Sequence, residues 1–166
     1  TPRAAGLLRE TPHLSAALGK SPMALASRGL DEGGRSAVFR LLEPLGTPEW
    51  VEEDEFDLVT ALAGSGPAFV YRFIEALAGG AAEVGSRGDR PARLALATVE
   101  GAAALAARSD VGPGELARRV ASPGGSTQAG VDILDADGRI HALLLDTLRA
   151  ARDRSAQMAA EARGGG

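Results

Sequence analysis

The chain has 166 residues, enough for one ordinary domain or for a fragment joined to a larger one. Its hydrophobic fraction is 45% but its aromatic fraction only 4%, so a core must be built from Ala, Leu and Val, which favours closely packed helices. The net charge of −4 arises from intermixed acids and bases, which argues against nucleic acid, and the absence of cysteine excludes disulfides, thiol catalysis and cysteine-held metal. A cysteine-free chain fits a cytoplasmic setting. No apolar run approaches the ~20 residues of a membrane span, so no membrane partner is expected. The start, Thr1-Pro2-Arg3-Ala4, has neither the charged nor the apolar region of a signal peptide and no initiator Met, and reads as that of a trimmed chain.

In chain order, Ala5–Glu10 and Ser21–Ser27 are short apolar runs punctuated by Pro12, Gly19 and Pro22, and are read as strands. Asp31-Glu32-Gly33 opens a helical pattern carrying Val38, Phe39, Leu41 and Leu42. Gly46-Thr47-Pro48 ends it, and Glu49-Trp50-Val51 gives one more short strand. Strand, strand, helix, strand is too little to close a sheet, so this part is expected to lean on something else. From Glu52 onward every segment is helical. Four acids, Glu52 to Glu55, crowd an expected first turn, where carboxylates suit the helix dipole. Phe56, Val59, Thr60 and Ala63 follow at helical spacing, Gly64-Ser65-Gly66 interrupts, and a second helix restarts at Pro67. That helix carries Phe69, Val70, Phe73, Ile74 and Leu77 on one face.

A third helix over 91–108 is apolar nearly all round, so it needs partners on nearly all sides, and a second copy is expected to supply them. Pro113–Ala121 is a short helix, Thr127–Asp135 another, and a long helix from Gly138 presents Ile140, Leu143, Leu148, Ala151, Ser155 and Met158 on one side. The closing Gly164-Gly165-Gly166 reads as a frayed tail. Gly79, Gly80 and Gly101, inside helical patterns, each cost roughly 1 kcal/mol relative to alanine, and close approach of neighbouring helices is the expected return. No internal repeat is found.

Two segments carry chemistry. In Val120-Ala121-Ser122-Pro123-Gly124-Gly125-Ser126-Thr127 a short helix stops, two glycines turn the chain, and hydroxyl residues begin the next helix. Free N–H groups near Ser126 and Thr127 would suit a carboxylate or phosphate, with the hydroxyls of Ser122, Ser126 and Thr127 as added donors. The competing reading is that Ser126 or Thr127 merely caps its helix. The second segment runs from Thr60 through Gly64-Ser65-Gly66-Pro67 to Phe69. By itself it reads as a kink between core helices, and with no following Lys and no preceding strand it is not a phosphate loop.

Together the two segments resemble one family. D-x-x-T-A-L-A-G-S-G-P-A from Asp57 to Ala68, and P-x-x-L-x-x-x-V-A-S-P-G-G-S-T-x-x-G-V from Pro113 to Val131, are similar to pyrroline-5-carboxylate reductase. The likeness reaches back to Leu7-Leu8-Arg9-Glu10-Thr11-Pro12 and forward into the final helix. It implies a mainly α fold: a helical dimerisation domain of the 6-phosphogluconate-dehydrogenase C-terminal-like type at 52–166, preceded at 1–51 by a small α/β remnant of a Rossmann domain. It implies reduction of the cyclic imine to L-proline with NADPH or NADH, the last step of proline biosynthesis. It also implies a homodimer, with rings of dimers as a further possibility. The substrate carboxylate is placed at the N–H groups of Gly125, Ser126 and Thr127 and the hydroxyls of Ser122 and Thr127, with Gly124 in the turn. Thr60 matches the threonine near the ring nitrogen, where its hydroxyl would position or relay a proton.

Two departures stand out. Where the family reads R-x-x-P-N-T-P beside the nicotinamide, this chain has Arg9-Glu10-Thr11-Pro12-His13-Leu14-Ser15. Arg9 and Pro12 match; His13 is either an altered cofactor contact or a surface loop residue. His141 has no visible metal partner and is read as structural, and no metal site is expected. The dinucleotide fingerprint G-x-G-x-x-G after an opening strand is absent from these residues, so the isolated chain is expected to be inactive. Two further readings stay open: a non-catalytic dimerisation or imino-acid-binding module descended from the family, and a related imine reductase.

Overall fold

The computed structural model describes residues 7–10 and 14–164. Pro12 and His13 lie outside the described residues. The chain is mainly α with a small amino-terminal sheet, as the composition and the resemblance imply. Strands β1 (Leu7–Glu10), β2 (Ser21–Arg28) and β3 (Gly46–Trp50) form a mixed sheet in that order, β1 antiparallel and β3 parallel to β2. Between β2 and β3 the chain crosses over through α1 (Glu32–Leu42). Asp31 caps α1 by accepting the Gly34 N–H at 2.8 Å, so the helix starts where the acidic turn signal put it.

The third strand begins earlier than its sequence suggested. Gly46 and Pro48 read as helix terminators, yet both lie in β3, paired with Ser21 and Met23. As an edge strand β3 tolerates Pro48, which has no N–H to give. Gly46 has a φ of 152°, and a Cβ there would fall 2.1 Å from the Ser21 carbonyl oxygen. The glycine therefore serves both ends: its N–H donates to the Glu43 carbonyl and closes the 3-10 turn Glu43–Leu45 that follows α1, and its missing Cβ permits the strand-to-strand approach.

The helical region then runs α2 (Phe56–Val59), a π turn (Thr60–Gly64), α3 (Gly66–Glu83), α4 (Arg90–Ala106), α5 (Pro113–Val120), α6 (Ser126–Asp135) and α7 (Arg139–Gly164). The expected first turn at Glu52 is corrected. Glu53 to Glu55 form a turn ahead of α2, and Glu53 is drawn to Arg9 at 2.9 Å instead of stacking on a helix end.

Contacts divide the chain into two compact units. One comprises the described residues up to Pro67 with those from Asp146 onward; the other is Ala68–Leu145. The first unit holds nearly all of the buried side chains. Met23, Ala24, Leu25 and Ala26 of β2 are buried on both faces of the sheet, and Phe56 packs on Ala24 and Ala26 with Val51 and Val59 beside it. The second unit is different. α3 buries no residue of its own, and α4 buries only Pro91 and Ala95 among its seventeen. Phe73, Leu94, Leu96 and Leu105 are about half exposed or more. Gly79, Gly80 and Gly101 face open space, so the close helix approach expected of them does not occur within one chain. Among the described residues no helix is long and apolar enough to cross a membrane.

Candidate functional site

In the second unit, the segment from Ser122 to Thr127 joins α5 to α6. Gly124 takes a φ of 72°, and the Gly125 N–H closes a tight turn by donating to the Ser122 carbonyl at 2.9 Å. Gly125, in extended backbone, is the N-cap of α6, and no side chain caps this helix. The capping alternative for Ser126 and Thr127 is thus overturned: they are the first two helical residues, beyond the position from which a hydroxyl can fold back on N2 or N3. Their N–H groups stay available, and the positive end of the α6 dipole lies there. The Gly125 N–H is already engaged in the turn, leaving Ser126, Thr127 and Gln128 as the backbone donors of this end. Ser122, Ser126 and Thr127 are exposed.

The cations that precede the loop most closely in the chain are committed elsewhere. Arg119 and Arg118, in the last turn of α5, both donate to Glu115, at 3.0 Å and 2.8 Å. The hydrogen bond from Arg119, then that from Arg118, holds the Glu115 carboxyl below the usual carboxylate range. The pair of arginines is a self-contained surface cluster, and an anion at this loop would depend on N–H groups and hydroxyls.

In the first unit, Thr60 opens the π turn. The Ser65 N–H reaches back to the Thr60 carbonyl at 3.2 Å, an i to i+5 closure, while the Thr60 N–H is shared between the carbonyls of Phe56 and Asp57. Ala61 and Ala63 are buried, and the turn packs on β2. The Thr60 Oγ1 is buried with no hydrogen-bond partner among the described residues. A buried, unpaired hydroxyl costs about 1–3 kcal/mol, and such orphans ask for an explanation in function. π turns recur at functional sites for the same reason: they are retained despite poorer local geometry. One turn earlier, Asp57 accepts a hydrogen bond from Ser155 of α7 at 2.8 Å. The sequence reading found Thr60 but not the π turn or the Asp57–Ser155 pair, whose members stand 98 positions apart.

Residues 53–158 match the family described as pyrroline-5-carboxylate reductase dimerisation. The chain belongs to this family. Pyrroline-5-carboxylate reductase of Aquifex aeolicus is 44% identical over 80% of this chain and 50% of its own length. Pyrroline-5-carboxylate reductase 2 of Bacillus subtilis is 36% identical over 94% of this chain and 56% of its own. The solved pyrroline-5-carboxylate reductase of Coxiella burnetii superposes with a TM-score of 0.86 at 27% identity, covering 92% of this chain and 57% of that one. The Plasmodium falciparum pyrroline carboxylate reductase, solved with NADP bound, gives a TM-score of 0.80 at 25% identity over 92% of this chain and 58% of that one. The chain thus spans about half the length of the reductases it matches.

The described residues do not fit the phosphates of a dinucleotide. The helix that crosses between the parallel strands β2 and β3 is α1, and its amino terminus is filled by the Asp31 carboxylate with Glu32 beside it, a negative cap where an anion would have to sit. Arg9, expected near a cofactor, is held by Glu53 and lies 3.8 Å over the Phe56 ring. Its observed partners tie β1 to the start of the helical region.

Proposed function

We propose that this chain is the substrate-binding and dimer-forming portion of a pyrroline-5-carboxylate reductase, an enzyme that reduces the cyclic imine to L-proline. The observation that carries the reading is the uncapped amino terminus of α6, with the N–H groups of Ser126 and Thr127 and the hydroxyls of Ser122 and Thr127 on offer. Family membership supplies the matching ligand, an imino-acid ring bearing one carboxylate. The loop holds that carboxylate through N–H and O–H donors, and the turn set by Gly124 and Gly125 presents them.

Thr60 is the residue that the family resemblance assigns to the imine nitrogen. When hydride reaches the imine carbon, the nitrogen must gain a proton, so that C=N becomes CH–NH. An alcohol is too weak an acid to supply that proton outright at neutral pH. The Thr60 hydroxyl therefore donates a hydrogen bond to the nitrogen or passes on a proton from water. The reductant is NADPH or NADH. Because the described residues do not fit its phosphates, turnover is expected only when a dinucleotide-binding domain accompanies them. Two copies pair through the exposed apolar faces of α3 and α4.

Calorimetric titration of L-proline tests the carboxylate site. Thr127→Ala and Ser122→Ala should each weaken binding by about 1.5–3 kcal/mol, the range for a hydrogen bond to a charged group. Unchanged affinity in both variants would refute the assignment.

A further inference from the structure

Strands β2 and β3 run parallel and are joined through α1, so their carboxyl ends open on the same side of the sheet. In open α/β sheets the crevice beyond the carboxyl ends of parallel strands is the usual seat of a ligand. Here that crevice is a cavity of about 230 Å³. It is lined by Ser27 and Arg28 at the end of β2, Arg35 of α1, Trp50 of β3, and Glu52 and Glu53 just beyond. All six belong to the sheet-centred unit, and none belongs to the Ser122–Thr127 loop or to the Thr60 turn. Clefts that take drug-sized molecules measure roughly 300–1,000 Å³, so the occupant of this smaller space is a small metabolite.

The charges of the cavity are not spent on one another. Glu53 is held by Arg9 at 2.9 Å. Arg35 is half-buried, its guanidinium stacked 4.4 Å from the centre of the Trp50 ring. Among the described residues Arg28, Arg35 and Glu52 form no ion pair, although they line the same small space. Side chains of opposite charge that share a cavity without meeting leave room for a molecule between them. The amino terminus of α1, at this end of the sheet, is already occupied by Asp31, so an anion here would rest on the guanidinium groups.

These charges define the ligand. Two unpaired guanidinium groups each suit a carboxylate, which they grip through paired N–H donors, and one unpaired carboxylate suits an ammonium. We propose that the cavity binds a small amino acid with a carboxylate in its side chain, its ammonium at Glu52 and its two carboxylates at Arg28 and Arg35. Trp50 forms the apolar wall along the carbon chain. This site is separate from the one read for the imino acid at α6, and neither depends on the other.

Calorimetric titration of the complete native protein with L-glutamate and with L-aspartate tests the site. At least one of them should bind with a dissociation constant below about 1 mM. Glutarate, which lacks the ammonium, and L-norvaline, which lacks the second carboxylate, should each bind at least about tenfold more weakly. Arg35→Gln and Glu52→Gln should each weaken the acidic amino acid on the order of tenfold, a charge-assisted hydrogen bond being lost. Glu52 is exposed, so its variant is expected to fold even where Arg35→Gln loosens α1. Thr127→Ala, at the α6 loop, should leave L-glutamate binding unchanged. No heat from either acidic amino acid up to about 10 mM, glutarate bound as tightly as L-glutamate, or full affinity in Glu52→Gln overturns the proposal. Loss of L-glutamate binding in Thr127→Ala also overturns it, because the amino acid would then sit at the α6 loop.

Discussion

A methyl group added at Gly125 would lie 2.6 Å from the Ser122 Oγ and 3.1 Å from the Ser122 carbonyl oxygen. The hydroxyl can rotate away, but the carbonyl belongs to the turn and accepts the Gly125 N–H, so relief there reopens the loop. Gly125→Ala is thus expected to weaken L-proline binding on the order of tenfold, about 1.4 kcal/mol. Far-UV circular dichroism should stay native, because the change lies outside the helices. Calorimetry beside the dichroism spectrum checks both. This loop was legible in sequence as a turn into a helix start, because Gly-Gly ahead of Ser-Thr marks one locally. Which residue caps α6 was not, since Ser126 and Gly125 differ as caps only by where the helical dihedrals begin. The π turn at Thr60 was equally silent: an i to i+5 closure has no residue pattern of its own, and Gly64-Ser65-Gly66 announced only a break.

Among the elements, α4 illustrates how far periodicity reads and where it stops. Its apolar residues around the whole circumference marked a helix that one chain cannot enclose, and Leu94, Leu96 and Leu105 do remain exposed. The glycines were attributed to close helix packing, yet Gly101 faces open space in a single chain. If the partner of α4 is a second copy, Gly101 is where that copy would come close. Gly101→Ala is then expected to raise the dimer dissociation constant at least about tenfold. It should do so despite a gain in intrinsic helix stability of up to ~1 kcal/mol. Sedimentation equilibrium distinguishes this from the alternative, a more stable helix with unchanged association, which would place the interface elsewhere. Strand β3 shows the opposite limit. Gly46 and Pro48 are punctuation by composition, and only the pairing with Ser21 and Met23 makes them strand. Register between distant strands is a tertiary fact, and no short window of sequence holds it.

At the scale of the molecule, the division of the chain into a sheet-centred unit and a wholly helical one follows where its buried side chains lie. β2 concentrates the core, with Met23, Ala24, Leu25 and Phe56 each at 2% exposure or less. The mainly α character was readable from an alanine-rich, aromatic-poor composition. The distribution of the core was not, because burial depends on which faces meet. Light scattering at micromolar concentration should give the mass of a dimer, and a folded monomer alone would refute the association proposed for α3 and α4. The near-absence of buried side chains in α3 and α4 has a consequence for the life of the protein in a cell. If a second copy covers these faces, as proposed, the helical unit gains stability by mass action, and its melting temperature should climb as protein concentration rises. Chains made one at a time would wait, apolar faces open to proteases, until another arrives, and the abundance of the protein would thereby govern its own survival.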